Sequence, residues 1–262
     1  MRYINEKNST FIISLLFFVS LMIAFSWGLI SGKNKTFPYS LALKLYGDKT
    51  ETDDYKKDLY KTWAKKVVEG GYILHFRHAE REKWVESVTA FDAYELINRL
   101  DAEKESFRKA TCLTDKGIEE AKLIGHIFDM LDIKVGEIYT SPSCRSRMTS
   151  RYAFGSEGTI VNAILHRTAI IPSQHEEAAY KLKDILMNAK IEENSNVIIS
   201  GHGGTLSYDK DILFTGEVPD NIDERAEGGF VVIERKDGQL FVRCVYPSIK
   251  EFANNILSLD LS

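Results

Sequence analysis

The 262-residue sequence is poor in cysteine: it has three, and none of them has the CxxC spacing of a structural zinc site. Cys112, Cys144 and Cys244 permit one disulfide and leave a thiol over, and the sequence does not select the pair. Excess positive charge is also lacking. A formal net charge of −4 removes the electrostatic case for a nucleic-acid partner. There is no internal repeat and no low-complexity tract, which excludes solenoids and disordered chains. Neither a GxGxxG nor a P-loop occurs, so nucleotide binding has no motif behind it. With 44% hydrophobic residues the chain buries a full core in one or two domains.

Charge is absent altogether from Thr10 to Ile30, a run of Leu, Ile, Phe, Val, Met and Ala. That length matches the roughly 20 residues a helix needs to cross a bilayer. It exceeds the apolar core of a typical cleaved signal peptide, and Trp27 stands where an interfacial aromatic belongs. Residues 1–9 are expected to be a polar flank, 10–31 a signal-anchor or transmembrane helix, 32–54 a spacer and 55–262 the folded domain. The membrane is then a partner through the N-terminal helix. Such an arrangement in a bacterium exports the C-terminal part, placing the domain outside the cytoplasm on the inner membrane. Cleavage of the segment, releasing the domain to the periplasm, is the alternative.

The folded part alternates strands with helical patterns, which predicts an α/β fold. Tyr55, Leu59, Trp63 and Val67 make one apolar stripe, and Gly70-Gly71 ends that helix. A strand follows over Tyr72–Phe76 and runs into Arg77, His78, Glu80, Arg81 and Glu82. Residues 82–111 read as an irregular helical insertion, a lid or wall over that loop. Leu113-Thr114-Asp115-Lys116-Gly117 opens a helix capped by Thr114. A strand over Glu137–Thr140 meets Ser141-Pro142-Ser143-Cys144-Arg145, where Ser141 is expected as N-cap and Pro142 as the first helical residue. Its free N–H groups, with Arg145 in the first turn, suit an anion. Arg147 and Arg151 read as surface residues. Ile160–Leu165 is expected to be a strand, and Glu176 to about Ala189 a helix. Asn196–Ser200 is a buried strand ending in Gly201-His202-Gly203-Gly204, with Thr205 capping the next helix. Phe230–Glu234 and Leu240–Val245 form a hairpin across Asp237-Gly238.

Three strand ends therefore carry polar groups: Arg77-His78, Ser141 to Arg145, and His202 among glycines. Ligands bind outside the carboxyl ends of strands in open α/β sheets, and two arginines, two histidines and a helix N-terminus suit a tetrahedral dianion. In these motifs, in their order and spacing from about residue 70 to 245, the sequence resembles the histidine phosphatase superfamily, also called phosphoglycerate-mutase-like. They are Phe76-Arg77-His78-Ala79-Glu80, Leu113 to Gly117, Ser141 to Arg145, and Ser200-Gly201-His202-Gly203-Gly204. Ala79 stands where the family usually has glycine.

The resemblance implies a three-layer α/β/α sandwich on a mostly parallel sheet and a metal-independent phosphomonoester hydrolase that needs no cofactor. His78 would be the nucleophile, taking the phosphoryl group as a phosphohistidine. Arg77, Arg145 and His202, with Gly203, would hold the phosphate. Glu80 is one candidate proton donor, and Glu176 or Glu177 the other. The substrate would be a small phosphoester, a phosphorylated envelope sugar being one choice. A catalytically inactive module that keeps the phosphate pocket is the alternative. A cysteine phosphatase needs Cys-x5-Arg, and Arg151 lies one residue too far from Cys144. A metal-dependent hydrolase would have to use His75, His78 and His202, yet residues three apart on a strand face opposite sides.

Overall fold

A computed structural model describes residues 49–83, 89–97, 111–223 and 225–258. The expected polar flank, the membrane-spanning or signal segment at 10–31, and nearly all of the spacer lie outside these residues. Among the described residues no helix is long and apolar enough to cross a membrane. The fold is carried by the compact unit Lys57–Ser262. Of the other unit, Met1–Lys56, the described part is Lys49–Lys56, the opening turns of helix α1 (Lys49–Glu69).

Six strands form one mixed sheet: β1 (Ile73–Arg77), β2 (Lys134–Thr140), β3 (Thr159–Ile160), β4 (Ser195–Gly201), β5 (Phe230–Lys236) and β6 (Gln239–Tyr246). Their spatial order is β3-β2-β4-β1-β5-β6. The first four run parallel, and the β5–β6 hairpin closes the sheet antiparallel to β1. Asp237 and Gly238 turn the hairpin with φ of 51° and 70°, as a tight turn matching the strand twist requires. Among the described residues seven further helices follow in chain order: α2 (Thr89–Ile97), α3 (Asp115–Met130), α4 (Cys144–Phe154), α5 (His175–Asn188), α6 (Thr205–Tyr208), α7 (Lys210–Leu213) and α8 (Ile249–Leu257).

Strand side chains alternate between faces, and both faces are covered. Leu74, Phe76, Ile198, Phe230, Val232 and Tyr246 pack with Trp63 and Val67 of α1, Phe128 of α3 and Phe252 of α8. Ile73, Val197, Ile199, Val231 and Ile233 pack on the other face with Leu182 and Leu186 of α5. Burial of each such side chain contributes roughly 1.5–3 kcal/mol. Phe76 sits at the centre of an aromatic cluster, stacked on Phe230 at 4.8 Å and edge-on to Phe154 at 5.7 Å. The sandwich therefore has three layers, with a sheet that is mixed because the hairpin turns antiparallel.

Three boundaries among these differ from the sequence reading. The strand expected over Ile160–Leu165 stops at Ile160, and a 3₁₀ turn occupies Asn162–Ile164. Arg167 explains the turn: from a buried position its Nη1 donates to the carbonyls of Ala163 and Leu165 at 2.9 and 3.0 Å, which bends the backbone around the guanidinium. Its Nε donates to Asp209 at 2.8 Å. Helix α4 starts at Cys144 with Ser143 as N-cap, two residues later than Ser141; the Ser141 hydroxyl accepts from the Ser143 amide at 3.4 Å and from His202 Nε2 at 2.8 Å. Likewise Gly204, at φ +80°, precedes α6, and Thr205 is its first residue.

A disulfide joins Cys112 and Cys144, whose Cα atoms are 4.9 Å apart. It ties the segment before α3 to the first residue of α4. Cys244 is free, buried in the core face of β6, and burial pushes its thiol up to about 12.

Candidate active site

Register brings the strand ends together. Arg77 of β1 pairs with Gly201 of β4, and Thr140 of β2 pairs with Ser200 of β4. The residues immediately beyond, His78, Ser141 and His202, therefore leave the sheet side by side. The His78 amide donates to the Gly201 carbonyl at 3.0 Å, and the Ser141 amide to the Ser200 carbonyl at 2.9 Å. The His78 and His202 rings stand edge to face with centroids 5.5 Å apart.

The ring atoms have defined roles. His78 Nδ1 lies 2.8 Å from the Ala79 carbonyl oxygen. A carbonyl only accepts, so Nδ1 carries the hydrogen and Nε2 carries the lone pair. Burial first, then the charges of Arg145 and Arg77, hold the His78 pKa well below 6.5, so the ring is neutral at pH 7. In His202, Nδ1 accepts from Arg145 Nη2 at 3.2 Å, which leaves Nε2–H to donate to the Ser141 hydroxyl at 2.8 Å. Burial and then Arg145 lower its pKa as well.

Helix α4 is polar yet buried along Cys144–Ser150, and its side-chain bonds explain why. Thr149 Oγ1 donates to the Arg145 carbonyl at 2.8 Å and accepts from the Ala79 amide at 2.9 Å, coupling α4 to the loop after β1. Ser146 Oγ donates to the Gly201 carbonyl at 3.2 Å, and Ser200 Oγ to the Ser146 carbonyl at 2.8 Å. Arg147, expected on the surface, is buried. Its Nε donates to the Pro142 carbonyl at 3.1 Å and it pairs with Glu157, so it fastens the turn before α4.

Arg145 Nη1 and Nη2 donate to the two carboxylate oxygens of Asp92 at 2.6 and 2.7 Å. Glu95, one turn further along α2, accepts from the Cys144 amide at 2.8 Å. Burial raises the Glu95 pKa to about 7. Behind His202, the buried Arg225 donates from Nη2 to His75 Nδ1 and to the His202 carbonyl, both at 3.1 Å. Arg77 Nη1 donates to the Arg225 carbonyl at 2.9 Å. His75 Nε2 is buried without a hydrogen-bond partner.

The structure thus brings together Arg77, His78, Arg145 and His202. Gly203 lies against Arg77: a Cβ there would come 3.4 Å from its Cδ. Glu80 and Glu176 are placed elsewhere. The Glu80 carboxylate is held by Lys116 and by Thr114 Oγ1 at 3.3 Å, at the start of α3. Its pKa falls, chiefly through the Lys116 hydrogen bond. Glu176 and Glu177 are exposed on α5 and line an open cavity of about 1080 Å³ with Ile160, Tyr180 and Lys181, among whose lining residues none of the four converging groups appears.

No family model matches the sequence, and no curated protein matches it. Several solved structures are similar. The protein histidine phosphatase SixA complexed with tungstate is 16% identical, with 67% of this chain and 97% of that one covered and a TM-score of 0.45. A phosphoserine phosphatase from Entamoeba histolytica is 13% identical, covering 67% and 96%, with a TM-score of 0.41. The mycobacterial glucosyl-3-phosphoglycerate phosphatase is 12% identical, covering 68% and 98%, with a TM-score of 0.43.

Sequence reasoning missed Asp92, Glu95, Arg225 and His166. The last stands edge-on to His202 with ring centroids 5.9 Å apart. Its Nδ1 accepts from the Thr168 amide, so in the neutral ring Nε2 carries the hydrogen. Burial lowers its pKa, Asp92 opposes that, and Arg145, Arg167 and Arg77 add to it.

Proposed function

We propose that the chain is a phosphomonoester hydrolase working through a phosphohistidine on His78. The observation that carries the reading is the tautomer: Nδ1–H is fixed on the Ala79 carbonyl, which leaves the Nε2 lone pair free on a ring held neutral among arginines. In the first step Nε2 attacks phosphorus, the P–N bond forms and the P–O ester bond breaks. The leaving oxygen takes its proton from water, as an ester with a good leaving group permits. Water then attacks the phosphohistidine and releases phosphate. Arg77 and Arg145 balance the charge on the equatorial oxygens in both steps.

We place the catalytic domain outside the cytoplasm, anchored by residues 10–31 or released after cleavage. The Cys112–Cys144 disulfide supports an oxidising compartment. A phosphorylated sugar of the cell envelope fits that location as a substrate.

The test is hydrolysis of an aryl phosphate by the full chain, with and without EDTA, beside His78→Ala. EDTA-resistant turnover should fall at least about 10³-fold in the variant, as loss of a nucleophile demands. Acid-labile label should appear on the wild-type protein after quenching. Turnover lost to EDTA, or unchanged in the variant, would refute the phosphohistidine reading.

A further inference from the structure

The two groups closest to hand for a phosphate are covered. Arg145 and His202 are each 1% exposed, and so is Asp92. Asp92 meets Arg145 end-on, one carboxylate oxygen to each Nη, at 2.6 and 2.7 Å. That fork is the geometry in which arginine takes a phosphate. Three residues on, and therefore on the same side of α2, Glu95 takes the Cys144 amide at 2.8 Å, at the N-terminus of α4. One face of α2 thus places a carboxylate on each of the two anion-binding features of α4.

We propose that Asp92 is a specificity-determining residue, an internal anion that a substrate phosphate must displace from Arg145. The inference rests on the reading of Arg145 as a phosphate ligand. Coulombic attraction scales with the product of charges. A singly charged ester would replace a carboxylate with an equal charge and gain nothing for moving α2. A phosphomonoester dianion brings twice the charge and wins the exchange. The site therefore admits dianionic monoesters and rejects singly charged diesters and sulfate esters. The buried face of α2 doubles as the barrier: while Asp92 stays on Arg145, the guanidinium fork is filled and a ligand does not reach it.

The experiment compares the full-length wild type with Asp92→Asn, which keeps the shape and removes the charge. Orthophosphate binding is measured by calorimetry and by inhibition of aryl phosphate hydrolysis. The variant should bind orthophosphate about tenfold more tightly, the gain expected when a competing state filling about nine-tenths of the molecules is removed. Its turnover of an aryl phosphodiester relative to the monoester should rise. Unchanged or weaker phosphate binding would overturn the proposal, since Asp92 would then be holding Arg145 in place for the ligand. If the wild type hydrolyses the monoester and the variant binds phosphate no better, this inference alone fails. If neither protein binds orthophosphate, it fails together with the phosphate reading.

Removing the charge strands a buried arginine and can cost the fold. A second measurement therefore uses the wild type alone: hydrogen exchange of the Thr89–Ile97 amides with and without saturating orthophosphate. Displacement predicts faster exchange with phosphate. Slower or unchanged exchange refutes it.

Discussion

Opening the bridge between Cys112 and Cys144 should weaken the fold without switching off the site. The two cysteines are 32 residues apart in sequence. Closing a loop of that length removes roughly 12 cal/mol/K of entropy from the unfolded chain, or about 3.7 kcal/mol at 25 °C. A domain of this size loses stability in urea at about 2–3 kcal/mol per molar. Reduction, or the double variant Cys112→Ser, Cys144→Ser, should therefore lower the urea midpoint by about 1–2 M. Activity at low urea should survive, because the bonds that set the site contain no sulfur. The Ala79 amide is held by Thr149 and the Gly201 carbonyl by Ser146. The assay is a urea titration followed by tryptophan fluorescence, with and without reductant, beside turnover at zero urea. A midpoint shift under about 0.5 M would refute the loop-entropy argument. Turnover that falls in step with reduction while the chain stays folded would show that the bridge positions Arg145 directly.

Two further outcomes are expected. Glu95 has its pKa raised from 4.5 to about 7 by burial, so its charged form costs stability above pH 4.5, a cost that grows as pH rises and is complete above about 7. Glu95→Gln keeps the acceptor for the Cys144 amide and should stabilise the protein by about 1–3 kcal/mol at pH 8 and by nothing at pH 4.5, read from urea midpoints at the two pH values. Gly117→Ala should destabilise by about 2–3 kcal/mol, because its Cβ would stand 1.9 Å from the Glu80 carbonyl; thermal melting checks this, and a melting temperature within a degree of wild type would contradict the close approach.

Gly117 shows what kind of information the sequence carried openly. The Leu-Thr-x-x-Gly pattern is legible because each position has a local reason: Thr114 caps α3 through the Gly117 amide at 2.8 Å, and Gly117 lets the chain after β1 pass against the helix. The buried strands β1 and β4 were legible as apolar runs, and the convergence of Arg77, His78, Arg145 and His202 followed from strand ends in a parallel register. Asp92 and Glu95 were not legible. Their partners, Arg145 and the Cys144 amide, lie 53 and 49 residues away, and no local pattern marks a helical carboxylate as buried. Arg147 misled for the opposite reason: arginine is ordinarily exposed, and only the tertiary turn at Pro142 with Glu157 makes a buried place for it. The strand expected to reach Leu165 stopped early because a buried guanidinium claimed its carbonyls.

Cys244 adds a kinetic dimension. Three cysteines can pair in three ways, and the folded chain uses one. Exchange between pairings requires a thiolate to attack a sulfur–sulfur bond. With its thiol pushed up to about 12 and enclosed in the sheet, Cys244 is no attacker at neutral pH once β6 is in place. Before β6 docks, all three thiols compete. The order in which the hairpin and α4 reach the core therefore decides the fraction of molecules that trap a wrong crosslink. A chain whose last strand arrives late will depend on an isomerase in proportion to that delay.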